Sequence, residues 1–265
     1  MTKKFLYNKY LPQKESEIIG QYHIKKIINN LITNNTIPCN YIFHGKSGTG
    51  KTTYSRIFFN KINCKNHPYK KPCTCKITNS KTDFLEIDAA SHRKVEEIKE
   101  VFKSRIYLPI QNKYRVICID EAQMLSLYSF NYLLKIIEYE NKKLIVIFIT
   151  TQFNKIPTTI KSRCLCLNFK KIKTTTLLKY LLHITHQEKT PVNKKILKII
   201  AKNSQGSVRQ ALVYLNKIIA YNTNKITHAY KLSFLKELQK HKHLPLTAIS
   251  IYHSLLISFI RLRTT

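Results

Sequence analysis

Glycine is confined almost entirely to one short segment of this chain, and that confinement is the strongest constraint on its fold. The sequence has five glycines in 265 residues, whereas an average composition of about 7% would give roughly nineteen. Three of the five lie within residues 45–52. Glycine lets backbone N–H groups approach a ligand without a Cβ in the way, and it adopts positive φ freely. The segment therefore predicts a turn that wraps closely around a bound anion.

The sequence of this segment, GKSGTGKT, fits G-x-x-x-x-G-K-[ST], the P-loop that binds the phosphates of nucleoside triphosphates. An apolar, β-prone run at 41–43 precedes it and a helical pattern at 52–62 follows it, which is the strand–loop–helix context that the motif requires. We expect Lys51 to reach the β- and γ-phosphates and Thr52 to bind Mg²⁺. The other residues expected to line the phosphate cradle are Gly45, Lys46, Ser47, Gly48, Thr49, Gly50 and Thr53.

A second motif with chemistry is an acidic pair that follows an apolar run. Residues 115–119 predict a buried strand, and Asp120 and Glu121 come directly after it. An acidic pair in this position is also common at the start of a helix, where carboxylates are favourable. The P-loop upstream favours the catalytic interpretation, in which Asp120 lies near the metal and Glu121 polarises a water molecule.

The remaining pattern predicts an α/β fold followed by helices. Residues 84–87 and 144–149 predict two more strands, and the apolar spacing over 130–138 is typical of a helix between them. Strands that alternate with helices indicate a parallel sheet, which we assign to a domain over residues 1–170. Beyond it, helices are predicted at 174–186, 194–202 and 207–221. We expect a small helical lid domain over 171–222 and a short helical tail over 223–265.

The chain is strongly basic, with a formal charge of +32 and a pI near 9.9. Such a charge is typical of proteins that bind a polyanion such as nucleic acid. However, eight of the 46 basic residues are Arg, Lys, Asn, Ile and Tyr are abundant, and Trp is absent. A codon bias toward A and T would produce the same composition, so both interpretations stay open.

Two of the arginines, Arg163 and Arg209, are candidates for charge stabilisation at a phosphate. The alternative for each is an arginine on the solvated surface.

Cysteine content and hydropathy suggest a location. The chain has seven cysteines, residues 1–5 form no apolar leader, and no run reaches about 18 apolar residues. We therefore expect a cytoplasmic protein without disulfide bonds and without a membrane partner.

Seven segments of the chain occur in a combination that is not general to P-loop proteins. They are IIGQ at 18–21, the P-loop, EIDAAS at 86–91, DEAQML at 120–125, SFNYLLK at 129–135, SRC at 162–164 and GSVR at 206–209. Together they resemble the clamp-loader ATPases of the AAA+ class, and most closely the bacterial DNA polymerase III gamma/tau family. The resemblance runs over residues 7–221 and implies the AAA+ fold, a P-loop nucleotide domain with a parallel sheet followed by a helical lid. It also implies that residues 223–265 are the remnant of a collar domain that is larger in the family.

The resemblance assigns roles to individual residues around ATP and Mg²⁺. Asp120 and Glu121 would be the metal-side acid and the base that activates water. Thr151 would be a polar sensor at the end of a central strand, and Arg209 would contact nucleotide bound in the same subunit. Arg163 would be a finger that reaches the ATP of the neighbouring subunit.

The resemblance also implies an adenine pocket, and the chain differs from the family at two site positions. Ile18 and Ile19 would line the pocket, with Tyr7 and Tyr10 nearby, although simple packing explains the two tyrosines equally well. Gln123 stands where the family usually has His, and Gln210 where it usually has Asp.

The function implied by the resemblance is a DNA-stimulated ATPase that loads a ring-shaped sliding clamp onto primed DNA during replication. Its partners would be other clamp-loader subunits, in a hetero-oligomer that is a pentamer in the family, within a DNA polymerase (nucleotidyltransferase) holoenzyme. The chain itself would carry no polymerase active site. A non-hydrolysing structural protomer of the same complex is the alternative, and a branch-migration helicase is a third interpretation. The intact acidic pair and P-loop argue against the former, and the EIDAAS and SFN segments against the latter.

The sequence also offers two peripheral candidate sites, and each has a plain alternative. The family carries four zinc-binding cysteines, whereas here Cys64, Cys73 and Cys75 remain in an insertion over 63–80, with His67 as a potential fourth Zn²⁺ ligand. A loop that has lost its metal is the alternative. Ser91 is expected to cap a helix whose first residues contact DNA phosphates, against the alternative of a solvated charged face. The candidate DNA-contacting residues are Ser91, Arg93 and Lys94.

Overall fold

The fold is built on a sheet of five parallel strands in the order β2-β3-β4-β1-β5. The computed structural model describes residues 5–64, 82–91, 95–103, 109–139 and 141–223. The strands are β1 (Asn40–Gly45), β2 (Phe84–Asp88), β3 (Arg115–Asp120), β4 (Leu144–Thr150) and β5 (Leu165–Phe169). The first four follow the predicted runs, whereas β5 was not predicted.

The helices of the described ranges connect these strands and then continue beyond the sheet. In the described ranges they agree with the sequence pattern to within a few residues wherever a helix was predicted, whereas α1, α2 and α6 were not predicted. Their bounds are α1 (Leu6–Lys9), α2 (Tyr22–Thr33), α3 (Lys51–Ile62), α4 (Val95–Lys103), α5 (Leu127–Glu138), α6 (Thr158–Lys161), α7 (Thr174–Gln187), α8 (Lys194–Asn203) and α9 (Val208–Thr223).

Successive residues of a strand point to opposite faces of the sheet and belong to two hydrophobic clusters, one on each face. Tyr41 and Phe43 of β1 pack with α2 and α3, whereas Ile42 between them packs with α4 and α5. All seven residues of β4 are buried, as expected for a central parallel strand that is covered on both faces. Cys118 of β3 is also fully buried and belongs to the cluster formed with α2 and α3, where it packs as a small apolar residue. The result is a three-layer α/β arrangement.

A third hydrophobic cluster holds α7, α8 and α9 together as a helical unit. Leu6 of α1 is buried in the same cluster, and its backbone N–H donates to Asn216 Oδ1 at 3.4 Å. The N-terminal helix therefore packs with the last helices rather than with the sheet that follows it in sequence. The domain boundaries near residues 170 and 222 stay predictions, and 224–265 lie outside the described residues. Among the helices of the described ranges, none combines the length and the apolar character needed to cross a membrane.

Candidate nucleotide-binding site

The P-loop connects the carboxyl end of β1 to α3, and Lys51 folds back across it. Lys51 Nζ donates to the carbonyl oxygens of Gly45 at 2.8 Å and Lys46 at 3.0 Å. The residue is 6% exposed, and burial is the largest cause of the lowered pKa of its amino group. A buried ammonium inside a turn at a helix N-terminus is a ready binding site for an anion.

Two glycines of this loop are in places where a side chain would not fit. A Cβ on Gly45 would lie 2.3 Å from the carbonyl oxygen of Phe169, and one on Gly48 would lie 2.1 Å from Ser207 Oγ. Gly48 has a φ of +73° and accepts a hydrogen bond from the Val208 N–H at 3.0 Å. The loop is thus enclosed between the end of β5 and the start of α9. The remaining predicted cradle residues, Lys46, Ser47, Thr49, Gly50 and Thr53, lie in the same turn and in the first turn of α3.

A hydroxyl and a carboxylate meet beside the P-loop. Thr52, in the first turn of α3, donates its hydroxyl to Asp120 Oδ2 at 2.7 Å. Asp120 ends β3 and lies in register with Asp88 at the end of β2. Hydroxyl and carboxylate oxygens are the ligands that Mg²⁺ prefers. Thr52 and Asp120 therefore fit the metal position that the sequence predicts for them.

Glu121 follows at the edge of the sheet, where the chain turns sharply. Its backbone has a φ of 49°, a left-handed conformation that is uncommon for residues other than glycine. Its carboxylate Oε2 lies 2.5 Å from Gln123 Nε2 and 3.5 Å from Thr151 Oγ1. The structure thus brings the predicted base and the predicted sensor together.

Gln123 was not predicted as a site residue, although it links several parts of the site. Its Nε2 donates to Glu121 and, at 3.2 Å, to Thr151 Oγ1, while its Oε1 accepts the Thr150 hydroxyl at 2.7 Å. Thr150 is fully buried at the end of β4. The signal in the sequence was its place two residues after Glu121, where it replaces the family's histidine.

Arg209 lies on the exposed first turn of α9, directly beside the P-loop. A Cβ on Gly48 would be 3.2 Å from Arg209 Cβ. Burial is the largest cause of the lowered pKa of Lys51, and the positive charge of Arg209 also lowers it. The carboxylates of Glu121 and Asp120 act in the opposite direction and raise it. Arg209 therefore belongs to the same electrostatic cluster as Lys51 of the P-loop.

Arg163 lies at the amino end of the parallel strands, opposite the carboxyl end that carries the P-loop. It lies two residues before β5, whereas the P-loop leaves the carboxyl end of the adjacent, parallel β1. A strand of five residues, such as β5, spans roughly 16 Å. The Arg163 guanidinium pairs with Glu138 Oε1 at 2.9 Å and donates to the Thr159 carbonyl at 3.0 Å. The structure does not bring Arg163 to the P-loop of its own chain.

The predicted adenine-pocket residues lie where the sheet domain meets the helical unit. Ile18 is buried in the cluster formed with α2 and α3, whereas Ile19 packs against the helical cluster together with Tyr7 and Tyr10. The Tyr10 hydroxyl donates to Glu188. Packing and this hydrogen bond account for the position of Tyr10 without a ligand.

Gln21 is a second residue that the sequence analysis did not single out for a role. It is 4% exposed and has a φ of 54°. Its side chain accepts from the Lys170 N–H at 3.1 Å and donates to the Lys170 carbonyl at 2.7 Å and the Thr49 carbonyl at 3.4 Å. One buried amide thus joins the N-terminal segment, the P-loop and the chain that enters the helical unit.

The zinc and DNA hypotheses fall largely on parts of the chain that the structure does not describe. Cys64 is partly buried, whereas His67, Cys73 and Cys75 lie outside the described residues. Within the described ranges, no three His, Cys, Asp or Glu residues are grouped so that they could hold a metal ion. Both the zinc site and its alternative stay predictions.

Ser91 lies in the turn after β2, where its hydroxyl donates to Asp88 Oδ2 at 3.2 Å. The described part of the following helix starts at Val95, and residues 92–94 lie outside the described residues. The cap at Ser91 therefore stays a prediction. Arg93 and Lys94 lie outside the described residues, and DNA contact there stays a prediction.

Comparison of this chain with known proteins agrees with the resemblance seen in the motifs. The family model described as DNA polymerase III, delta subunit, matches residues 20–173. DNA polymerase III subunit gamma/tau of Mycoplasma genitalium is 40% identical over 225 residues, which cover 83% of this chain and 38% of that protein. Subunit tau of Bacillus subtilis is 37% identical, covering 84% and 40%, and subunit gamma of Buchnera aphidicola (Baizongia pistaciae) is 37% identical, covering 86% and 63%.

The solved structures that resemble this one show the same fold at low sequence identity. The Thermotoga maritima RuvB Holliday junction branch migration motor matches with a TM-score of 0.64 and 17% identity, over 86% of this chain and 72% of that one. This likeness confirms the predicted α/β P-loop fold of the AAA+ class. The chain spans about two fifths of the first Mycoplasma and Bacillus relatives. On the family model and these relatives, the chain belongs to the DNA polymerase III subunit family, and its similarity to the gamma/tau subunits is confirmed.

Proposed function

We propose that this chain is an ATPase subunit of a clamp loader, which uses ATP binding and hydrolysis to load a sliding clamp onto primed DNA. Its partners are other subunits of the same kind, the clamp and the DNA. One observation carries the proposal: Lys51, Thr52, Asp120 and Glu121 form a contiguous phosphate and metal site, while Arg163 lies at the opposite edge of the sheet. The gamma/tau relatives support the role in DNA replication.

The site residues divide the work of phosphoryl transfer to water. Lys51 and the backbone N–H groups of the P-loop hold the phosphates, and Arg209 adds positive charge from the lid side. Thr52 and Asp120 would hold Mg²⁺, which would neutralise charge on the phosphate oxygens. Glu121 orients the attacking water and accepts its proton.

Arg163 completes the proposed mechanism from a different molecule. An arginine at the amino edge of β5 is roughly a strand length, about 16 Å, from the P-loop of its own chain. In an assembly in which this edge faces the neighbouring P-loop, the guanidinium stabilises charge on the transferred phosphoryl group. Glu138 holds the side chain at the surface in the isolated chain. Hydrolysis by the isolated chain is therefore slow.

The test compares wild type with Arg163→Ala, each with and without the partner subunits, clamp and primed DNA. Arg163→Ala should lower stimulated turnover on the order of 10³-fold, with ATP affinity nearly unchanged. Glu138→Gln is the matched control, since it removes the ion pair and keeps the finger, and it should retain turnover. Equal turnover of wild type and Arg163→Ala would refute the interface mechanism. Nucleotide binding without phosphate release by the complete wild-type assembly would favour a structural protomer.

A further inference from the structure

The side chain of Gln123 is held at both ends between the proposed base and the end of the central strand. Its Nε2 lies 2.5 Å from Glu121 Oε2 and 3.2 Å from Thr151 Oγ1. Its Oε1 accepts the Thr150 hydroxyl at 2.7 Å, and Thr150 Oγ1 in turn accepts the Gln152 N–H at 3.0 Å. The amide group uses both its donor and its acceptor, which fixes the orientation of its plane.

This arrangement constrains the carboxylate of Glu121. Glu121 itself has a positive φ and lies between the end of β3 and a short helical turn at Ala122–Met124, so its backbone belongs to neither a strand nor a helix. The amide of Gln123 donates to one carboxylate oxygen, Oε2, and leaves Oε1 available to a water molecule. A base within hydrogen-bond reach of a water molecule accelerates its reaction only when the carboxylate is held in the right orientation.

We propose that Gln123 is a positioning residue, which orients the Glu121 carboxylate and couples that orientation to Thr150 and Thr151 at the end of β4. This inference rests on the proposed function, because it takes Glu121 as the base for ATP hydrolysis. Gln123 itself touches neither the water nor the phosphates. Movement of the end of β4, where Thr151 lies, is transmitted to the base through Gln123 and through the longer direct contact of 3.5 Å between Thr151 Oγ1 and Glu121 Oε2.

The chemistry of the amide distinguishes this residue from the histidine that the family usually has here. A neutral imidazole can donate to Glu121 from one nitrogen and accept from Thr150 at the other, so it can replace the amide above its pKa. Below a pKa of about 6.5 both ring nitrogens are donors, and the Thr150 hydroxyl loses its acceptor. The amide does not titrate, so it holds Glu121 equally well across this range of pH.

The experiment measures ATP affinity and turnover of the full chain, assembled with its partner subunits, clamp and primed DNA, between pH 5.5 and 8.5. The variants are Gln123→Leu, which keeps approximate size and removes both hydrogen-bonding groups, and Gln123→His. Gln187→Leu, an exposed glutamine at the end of α7, is the matched control. Glu121, Asp120, Lys51 and Arg209, the charged groups that surround the site, are common to all variants. An added inflection in the pH profile is therefore assigned to residue 123.

Gln123→Leu should lower kcat by about tenfold or more with ATP affinity unchanged, whereas Gln187→Leu should behave as wild type. Gln123→His should retain most of the turnover above pH 7 and lose it through a new inflection near 6.5. Wild-type or faster turnover by Gln123→Leu would overturn the inference. If Gln123→Leu does not fold, a Gln123→His profile without the new inflection would overturn it equally. Absence of hydrolysis by the wild-type assembly would instead refute the proposed function, and this inference with it.

Discussion

Replacing Asp83 with alanine should destabilise the fold strongly, because Asp83 is a buried carboxylate that holds the edge of the sheet. Its side chain is fully buried and accepts the backbone N–H groups of Ile110, Gln111 and Asn112 at 2.8, 2.9 and 3.0 Å. The Arg115 guanidinium donates to it at 3.2 Å. The Asp83 carbonyl oxygen also accepts the first N–H of the β2–β3 pairing. Asp83 thus fastens β2 to the strand that ends in the acidic pair.

The expected loss follows from these partners. Removing one member of a buried ion pair costs about 3–5 kcal/mol, since the other charge is left without its partner. Arg115 is 4% exposed, so water cannot readily take the place of the carboxylate. We therefore expect Asp83→Ala to lower the free energy of unfolding by about 4 kcal/mol at pH 7. Asp88→Ala, which removes an exposed aspartate from the other end of β2, is the control and should cost about 1 kcal/mol or less.

The difference in the free energy of unfolding between wild type and Asp83→Ala should decrease in acid. Burial alone would raise the pKa of Asp83, but hydrogen bonds from Ile110, Gln111, Asn112 and Arg115 outweigh it and lower the pKa. The stabilisation is therefore complete above the unfolded pKa of about 3.9 and is lost as pH falls through the lower folded value. Urea unfolding followed by circular dichroism at pH 7, 5, 4 and 3 measures it. The gap between wild type and Asp83→Ala should narrow below about pH 4. Equal urea midpoints for Asp83→Ala and Asp88→Ala at pH 7, or a gap that widens in acid, would refute the reasoning.

Three further substitutions probe the P-loop and its connection to the lid. Gly48→Ala should weaken ATP binding and lower the thermal midpoint, because the new Cβ would meet Ser207 Oγ at 2.1 Å in a backbone with φ +73°; calorimetry measures both. Gln21→Ala removes the paired hydrogen bonds to Lys170 and should cost about 1–3 kcal/mol in urea unfolding, and an unchanged midpoint would contradict this. Thr52→Val removes the hydroxyl that contacts Asp120 and should abolish most of the gain in ATP affinity that Mg²⁺ provides, as shown by titration with and without the metal.

The parts of the site that the sequence could predict are those in which chemistry is determined by local spacing. The P-loop and the acidic pair are each contained in a few consecutive residues, and the short β-prone apolar runs before them predict buried strands. The P-loop and the acidic pair are expected to lie close together, because the carboxyl ends of parallel strands lie on the same side of the sheet. The contact of Thr52 with Asp120 could therefore be expected without the structure.

The residues that escaped prediction act through contacts made only in the folded chain. Gln21 bonds to Lys170, which is 149 residues away in sequence, and Gln123 bonds to Thr150, 27 residues away. A single glutamine has no periodicity or spacing that would mark it as buried.

The order of the strands bears on the proposed mechanism in a way that no motif could. Arg163 lies just before β5, and β5 pairs in parallel with β1. No sequence motif indicates this pairing, which is known from the folded structure. Because the two strands are parallel, the start of β5 and the P-loop lie at opposite edges of one sheet. At that distance an arginine at the start of β5 does not reach a phosphate bound in the P-loop of its own chain. Sheet topology therefore supports the proposed site completed between subunits, in which Arg163 would exchange its ion pair with Glu138 for phosphate.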